Sequence, residues 1–467
     1  MKAKVLMPER QLNLDLPLAY EATDMRTTDT AALGLVWSGA VSPSIGTSLR
    51  QGDVKSKHRR STRATTPGTR TSTTATPTTT TSPGLAVPRV SSADSTAPCS
   101  FEALVQAYLD CRANKRNTAS ALQFEQALEA NLWSLYQRLC DGSYQPGRSI
   151  CFVVTRPRPR EVWAAQFSDR IVHHLLYNHI APRFHAGFVA TSCACIPGRG
   201  TLYAARQLKH SVRSITQNWS RPAHYLKMDL ANFFVGISKP VLLAQLAKRV
   251  HESWWFDLAR TILFHDPRAD VELRGSPAKL DLVPPHKSLF NAPADKGLPI
   301  GNLSSQFFAN VHLDALDQHI KHQLRARHYV RYVDDFILLH ESPQWLNHAR
   351  LDIQAWLPDN LGAHVNPRKT ILQPVARGID FVGHVINPYS HTTRRTTLRG
   401  ALHRLETMPA DEVLAAGNSY LGLVGQAEHS HTDKARIARA LLKRGHAVDG
   451  DLSKAFRKQF SFDLVKP

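Results

Sequence analysis

The stretch that most narrows what this chain can fold into is RYVDDFILLH, residues 331–340. Tyr332, Val333, Phe336, Ile337, Leu338 and Leu339 are residues of a buried strand, yet Asp334 and Asp335 stand side by side among them. Carboxylates at the edge of an apolar core cost several kcal/mol unless something positive meets them. The pattern predicts a strand, a tight turn and a second strand, with both carboxylates at the turn. HYLKMDL, residues 224–230, predicts another strand with Asp229 at its end. Asp229 lies far from Asp334 in sequence, so only the tertiary fold can bring them together. Three carboxylates converging on strand ends suit a hard divalent cation such as Mg²⁺, which takes a few oxygens and keeps waters and phosphates for the rest. Two such ions about 3.5 to 4 Å apart serve phosphoryl transfer, activating an attacking hydroxyl and stabilising the leaving pyrophosphate. Taken alone, an Asp-Asp pair fits a solvated turn equally well, so its company decides.

Charge supplies part of that company. The 467 residues carry a formal net charge of +20, a bias that draws polyanions over long range and makes nucleic acid the leading partner. The plainer reading is a basic tail that keeps the protein soluble. Six cysteines include one close pair, Cys193 and Cys195, without a second pair or a histidine at finger spacing, which predicts reduced thiols of a cytosolic protein. No run approaches the roughly 18 apolar residues of a membrane span.

Hydrophobic content is 42%, enough for a sizeable core, but it is unevenly spread. From Ser48 to Pro98 the chain is dominated by Thr, Ser, Pro and Arg and has almost nothing to bury, so residues 1–97 are expected to form a disordered leader. A transit peptide fits poorly, because Glu9, Asp15, Glu21, Asp24 and Asp29 precede the Thr-rich run. Order is expected from Ser100, with two helices before the first strand: one on Phe101, Leu104, Val105 and Tyr108, the other on Phe124, Leu128, Leu132, Leu135 and Leu139 and ending at Gly142. CFVVT, residues 151–155, predicts a strand, followed by a basic loop running into a helix near Asp169. Ala309, Leu313, Leu316, Ile320 and Leu324 predict a long amphipathic helix, and the stretch from about Arg395 to Lys458 reads as helical and basic.

Tyr332-Val333-Asp334-Asp335 resembles the YxDD signature of reverse transcriptases, and neighbouring segments resemble that family's motifs in order from about Cys99 to Pro388. KMDLANFFVGI resembles its first catalytic segment, with Asp229 in the metal-binding position. RPRPREVWAAQFSDRIVHH resembles the segment that meets the incoming triphosphate, GLPIGNLSSQFFANVHLDALD the segment under the nascent base pair, and NPRKTILQPVARGIDFVGHVI the lysine-bearing loop and primer-grip hairpin. The resemblance implies an α+β right-hand polymerase: fingers over 98–223, a palm with an antiparallel sheet over 224–390, and a helical basic thumb over 391–467. It implies RNA-directed DNA polymerase activity on template RNA and primer or cDNA, with dNTPs and two Mg²⁺ ions for which Mn²⁺ can substitute. Asp229 and Asp334 would bind both metals and Asp335 would be the accessory carboxylate. Phe234 would exclude a nucleotide 2′-hydroxyl sterically, and Phe233 would belong to the core. Arg158 and Arg160 would hold the triphosphate through guanidinium forks. Lys369 would protonate pyrophosphate or stand as a surface lysine. Gly301 would let the backbone approach the base pair, or serve as an ordinary turn glycine.

The run Ile300-Gly301-Asn302-Leu303-Ser304-Ser305-Gln306 departs from the Gln-Gly and Ser-Pro found in many such enzymes. Replacing an amide by an apolar side chain removes a directional hydrogen bond near the nucleotide, so misaligned pairs should be penalised less. This Ile-Gly-x-x-x-Ser-Gln pattern, which sets Ile300, Gly301 and Gln306 at the nucleotide, resembles the enzymes of diversity-generating retroelements, as do PPHKSLF and the opening FEALVQAYLDCRANKRNT. That resemblance implies an error-prone, bacterial or phage-encoded cytoplasmic enzyme partnered by a small basic accessory protein. A relative working in phage defence or with a retron-like RNA would keep the same site, and a catalytically dead RNA-binding protein would not need the acids. In the C-terminal segment Arg394, Arg395, Arg399, Arg404, Lys434, Arg436, Arg439, Lys443 and Arg444 are expected either to track duplex phosphates or to form a solvated basic face. His173, His174, His429 and His431 read as structural or solvent-exposed residues.

Overall fold

A computed structural model describes residues 98–113, 118–155 and 158–458, so the expected leader lies outside the described residues. Among the described residues three helices, not two, precede the first strand: α1 (Phe101–Ala113), α2 (Ala119–Glu125) and α3 (Leu128–Cys140). The predicted second helix breaks between Glu125 and Leu128, and α3 ends where expected, at Gly142 with φ +76°. Strand β1 (Ser149–Val154) is followed by β2 (Arg160–Ala164), where a basic loop was expected. REVWA lacks the simple alternation of a half-exposed strand because β2 is buried along most of its length. It pairs antiparallel with β1, Cys151 opposite Trp163.

Helices α4 (Phe167–His185) and α5 (Thr201–Ile215) lead into the central sheet. Strand β3 (His224–Asp229), a short helix α6 (Phe233–Gly236), α7 (Lys239–Ala247) and α8 (Ser253–Phe264) come next, and β4 (Val271–Arg274) returns to pair parallel with β1. Helix α9 (Leu303–Gln318) passes into one π-helical turn, His319–Gln323, so the long helix is present but wound differently at its end. Strands β5 (His328–Tyr332) and β6 (Asp335–His340) form the predicted hairpin. Helix α10 (Pro343–Leu361) starts with Ser342 Oγ accepting a hydrogen bond from the Trp345 amide and stops at Gly362, φ +62°, the capping chemistry expected at each end. Strand β7 (Ile371–Pro374) completes a four-stranded antiparallel sheet in the order β5-β6-β3-β7. Strand β6 carries a continuous apolar run, Phe336 to Leu339, because helices cover the sheet: α5 lies against β5 and β6, and α10 against β3, β6 and β7.

A second antiparallel sheet holds β8 (Ile379–Phe381), β9 (His384–Asn387) and β10 (Ser390–Thr393). The boundary expected at 390/391 therefore cuts through a strand. Beyond it α11 (Arg395–Thr407), α12 (Ala410–Gly425) and α13 (His431–Lys443) enclose a separate core of Leu398, Leu405, Val413, Tyr420, Ile437 and Leu441. This segment is not wholly helical, since β11 (His446–Val448) and β12 (Ala455–Arg457) close a small hairpin over it. The fold is thus a mixture of helices and largely antiparallel sheets. All six cysteines are free, and none of the described helices is long and apolar enough to cross a membrane.

Candidate active site

The opening hairpin turns on two residues. Tyr332 and Asp335 face each other as the last pair of β5 and β6, leaving Val333 and Asp334 to make the turn. Val333 takes φ +53°, a conformation that costs a β-branched residue on the order of 1–3 kcal/mol and persists only where its surroundings over-determine it. Two hydrogen bonds do so. The Leu230 amide donates to the Asp334 carbonyl at 3.2 Å, and Arg331 Nη1 donates to the Val333 carbonyl at 3.1 Å.

Arg331 has no exposed surface, and its guanidinium is fully engaged. Nε and Nη2 donate to the two oxygens of Asp317 at 2.7 and 2.6 Å, Nη1 also to Asn310 Oδ1 at 3.1 Å, and Nη2 to Ser192 Oγ at 2.8 Å. Tyr329 adds a hydrogen bond to Asp317 at 2.6 Å. Burial opposes the charge on Arg331, but Asp317 more than offsets it and the guanidinium stays firmly protonated. This network anchors the turn to α9 and to the 191–194 segment. It was legible only as an arginine out of place in an apolar strand, because its acid, Asp317, comes from a helix fourteen residues earlier.

Each inner carboxylate meets a lysine. Asp229 and Asp335 are register partners on β3 and β6. Asp335, 0% exposed, lies 3.1 Å from Lys227 Nζ. Asp229, 1% exposed, accepts hydrogen bonds from Lys369 Nζ at 3.0 Å and Asn366 Nδ2 at 3.3 Å. Burial raises the Asp229 pKa against the pull of Lys369, and raises that of Asp335 to about 6 against the pull of Lys227. Asp334 is the outermost of the three at 8% exposed. Lys227 sits two residues before Asp229, on the same side of β3 by strand periodicity, a signal present in KMD. Asn366 carried no comparable signal.

The structure therefore gathers the three carboxylates at adjacent strand ends, with Asp335 as the inward member. Among the described residues no three acidic, histidine or cysteine side chains stand close enough to form a metal cluster; Asp229 is paired with Lys369 and Asp335 with Lys227. The donor set nonetheless fits a hard cation: all donors are oxygens, and Asp335 Oδ1 has no hydrogen-bond partner.

Other expected site residues separate. Phe234 is buried beside Phe233 at 5.3 Å between ring centroids, and its carbonyl accepts from the Leu298 amide at 2.9 Å. The GLPIGN segment is pinned on its other side to β2, where the Trp163 amide donates to the Ile300 carbonyl at 2.6 Å and the Ala165 amide to Asn302 Oδ1 at 3.1 Å. Gly301 takes φ +125°, and a Cβ there would lie 2.7 Å from the Trp163 carbonyl oxygen, so the glycine serves close packing on β2. PPHKSLF docks on the same strand: the Leu289 amide donates to the buried Glu161 at 2.8 Å, and Ser288 Oγ also donates to that carboxylate. Gln306 is buried in the first turn of α9. Arg158 is exposed, but Arg160 is only 5% exposed because β2 carries it inward, and burial pushes its pKa down to about 10. It does not stand ready for a triphosphate as expected. Arg394 and Arg444 also leave the expected phosphate-tracking set. Arg394 is buried on Asp380, and Arg444 donates to the Leu405, Glu406 and Met408 carbonyls at the end of α11.

Residues 157–386 match the family described as reverse transcriptase (RNA-dependent DNA polymerase). The chain carries a reverse transcriptase domain. That span contains β2, the GLPIGN segment, the central sheet, all three carboxylates and Lys369. Among solved structures the chain is similar to telomerase from Candida albicans in complex with a fragment of telomeric RNA, at 11% identity and a TM-score of 0.40, covering 64% of this chain and 62% of that one. It is similar also to apo telomerase from Candida tropicalis truncated of its C-terminal domain, at 13% identity and a TM-score of 0.38, covering 54% and 56%. The chain thus spans less than two thirds of those proteins. No curated protein matches it.

Proposed function

We propose that the protein is an RNA-directed DNA polymerase that copies an RNA template into cDNA from dNTPs, and that it belongs to a diversity-generating retroelement. The observation that carries the reading is the meeting of Asp229 with the hairpin that bears Asp334 in its turn and Asp335 at the start of β6, inside the span that matches the reverse transcriptase family. Asp229 and Asp334 would hold the Mg²⁺ ions, which when bound lower the pKa of the attacking 3′-hydroxyl and neutralise the leaving pyrophosphate. Asp335 holds Lys227 and keeps the inner wall of the site charged. Lys369, now on Asp229, is more exposed than Lys227 and is placed to meet a phosphate once Asp229 is occupied. Phe234 would supply the ring that rejects a ribose hydroxyl, and the exposed Arg158 is the candidate for the triphosphate. The regions 98–223, 224–390 and 391–467 would act as fingers, palm and thumb, with the exposed Arg395, Arg399, Arg436, Arg439 and Lys443 in the last.

Assignment to the retroelement type is supported by Ile300-Gly301 and PPHKSLF, both folded against β2. In that reading the enzyme is error-prone, cytoplasmic and served by a small basic accessory protein. The test is primer extension on an RNA template with Mg²⁺ for the wild type and Asp334→Ala. Synthesis by the wild type and none by the variant is expected, and undiminished cDNA from Asp334→Ala would overturn the site. A near-identical repeat pair differing at adenines beside the gene is the matching expectation for the retroelement.

A further inference from the structure

Helix α5 carries a basic face that the polymerase chemistry leaves unused. Ala204, Ala205, Leu208, Val212 and Ile215 pack inward, and the helical period places Arg206, Lys209, His210 and Arg213 on the outer side. These four, with Ser214 and Asn218, line an open groove of about 530 Å³ that has no acidic residue in its lining. Lys209 is ion-paired with Glu428, and Arg213 directs Nε to Asn218 Oδ1 at 3.0 Å. Arg206 joins no ion pair among the described residues.

The groove lies away from the carboxylates. Helix α5 packs against β5 and β6, and His210 and His340 both lie within electrostatic range of His328, which places this part of α5 by the first residue of β5 and the last of β6. Those strand ends are opposite the Val333–Asp334 turn, four or more residues distant, or at least about 13 Å at the usual rise of a strand.

Two strained turns set aromatic rings beside the groove. After α5 the chain passes through Gln217, Asn218 and Trp219 with φ of +47°, +58° and +72°, a costly sequence of left-handed residues. It is held by the Asn218 amide donating to the Arg213 carbonyl at 2.8 Å and the Trp219 amide to Thr216 Oγ1 at 2.9 Å. Trp219 thereby sits 6.3 Å from the ring of Tyr389. Tyr389, itself at φ +61° in the β9–β10 turn, is 75% exposed. A groove of guanidinium and ammonium groups flanked by an aromatic pair, Tyr389 exposed and Trp219 partly buried, offers what an unpaired nucleic acid strand requires: cations for the backbone and faces for the bases.

We propose that this groove, with Trp219 and Tyr389, binds a single-stranded segment of RNA outside the stretch being copied. The proposal rests on the reading of the chain as an RNA-directed enzyme. The groove would hold the template RNA while the catalytic turn works on another part of it.

The experiment measures binding of a single-stranded oligouridine to the full chain, with an excess of a short primer–template hairpin present to fill the catalytic cleft. Arg206→Ala/Arg213→Ala should make the slope of log K against log salt shallower by about 1.4, two contacts at about 0.7 each. Tyr389→Ala should weaken binding about fivefold or more, and Tyr389→Phe should restore it. Extension of the hairpin should be the same in all three variants and the wild type, which also shows that they fold. Unchanged oligouridine affinity and salt slope in the variants would overturn the proposal. So would polyglutamate competing as well as RNA, which would assign the groove to an acidic protein. Failure of the wild type to extend the hairpin would refute the polymerase reading while leaving the binding result to stand by itself.

Discussion

Replacing Arg331 by methionine removes the guanidinium that joins Asp317, Asn310, Ser192 and the Val333 carbonyl. The chief consequence is an unpaired carboxylate: Asp317 has no exposed surface and would keep only Tyr329 as a hydrogen-bond donor. Breaking a buried pair from one side costs about 3–5 kcal/mol. At about 2.1 cal/mol/K per residue over roughly 360 described residues, the unfolding entropy is about 0.75 kcal/mol/K, so Tm should fall by about 4–7 °C. The double variant Arg331→Met/Asp317→Leu also removes the stranded charge and should recover most of that loss. It does not return the donor to the Val333 carbonyl, so the turn bearing Asp334 stays less constrained. Calorimetry and primer extension on the wild type, both single variants and the double variant therefore give different orders: stability largely recovers in the double variant and the rate of extension does not. A double variant as unstable as Arg331→Met would refute the account of the buried charge. One that extends primers at the wild-type rate would refute the claim that Arg331 positions the turn.

Gly301→Ala should destabilise the protein by about 1–3 kcal/mol, because the residue must keep φ +125° and its Cβ would meet the Trp163 carbonyl; an unchanged Tm would show that the segment moves freely off β2. His173 and His384 are held neutral chiefly by burial, with pKa values lowered from 6.5 to about 3, and the neighbouring His391 adds to the effect at His384. Both histidines take up a proton near pH 6.5 when the chain unfolds but not while it is folded, so stability is fully present above that pH and is lost as pH falls toward 3. The loss reaches about 2 kcal/mol per histidine at pH 5, and His384→Leu should flatten the acid limb of a plot of stability against pH. An acid limb of unchanged slope would show that His384 is protonated in the fold. Ile300→Gln should lower misincorporation opposite adenine, and identical error spectra from sequenced cDNA would remove Ile300 from the account of fidelity.

What the sequence determined by itself was the chemistry and its local frame. An apolar run interrupted by Asp334 and Asp335 has few solutions other than a hairpin that turns at the acids, although only Asp334 lies in the turn and Asp335 opens β6, and Asp229 ends a strand for the same reason. The helix end at Gly142 was legible because a capping glycine lies within a turn of the helix it stops. Strand β2 was not, since its burial comes from β1, Ile300 and Ser288 far along the chain, and no alternation marks a strand covered on both faces.

Only the tertiary structure decided which cation meets which acid. Lys227 and Lys369 were both visible as lysines, but their pairing with Asp335 and Asp229 depends on the register of β3 with β6 and on the loop before β7. The same holds for Arg160 and Arg158, whose separation into a buried and an exposed residue follows from where β2 begins. Charge in a sequence is a count, whereas a charge's effect depends on its distance to a partner and on the water excluded around both. Those two quantities are set when strands from distant parts of the chain come into register.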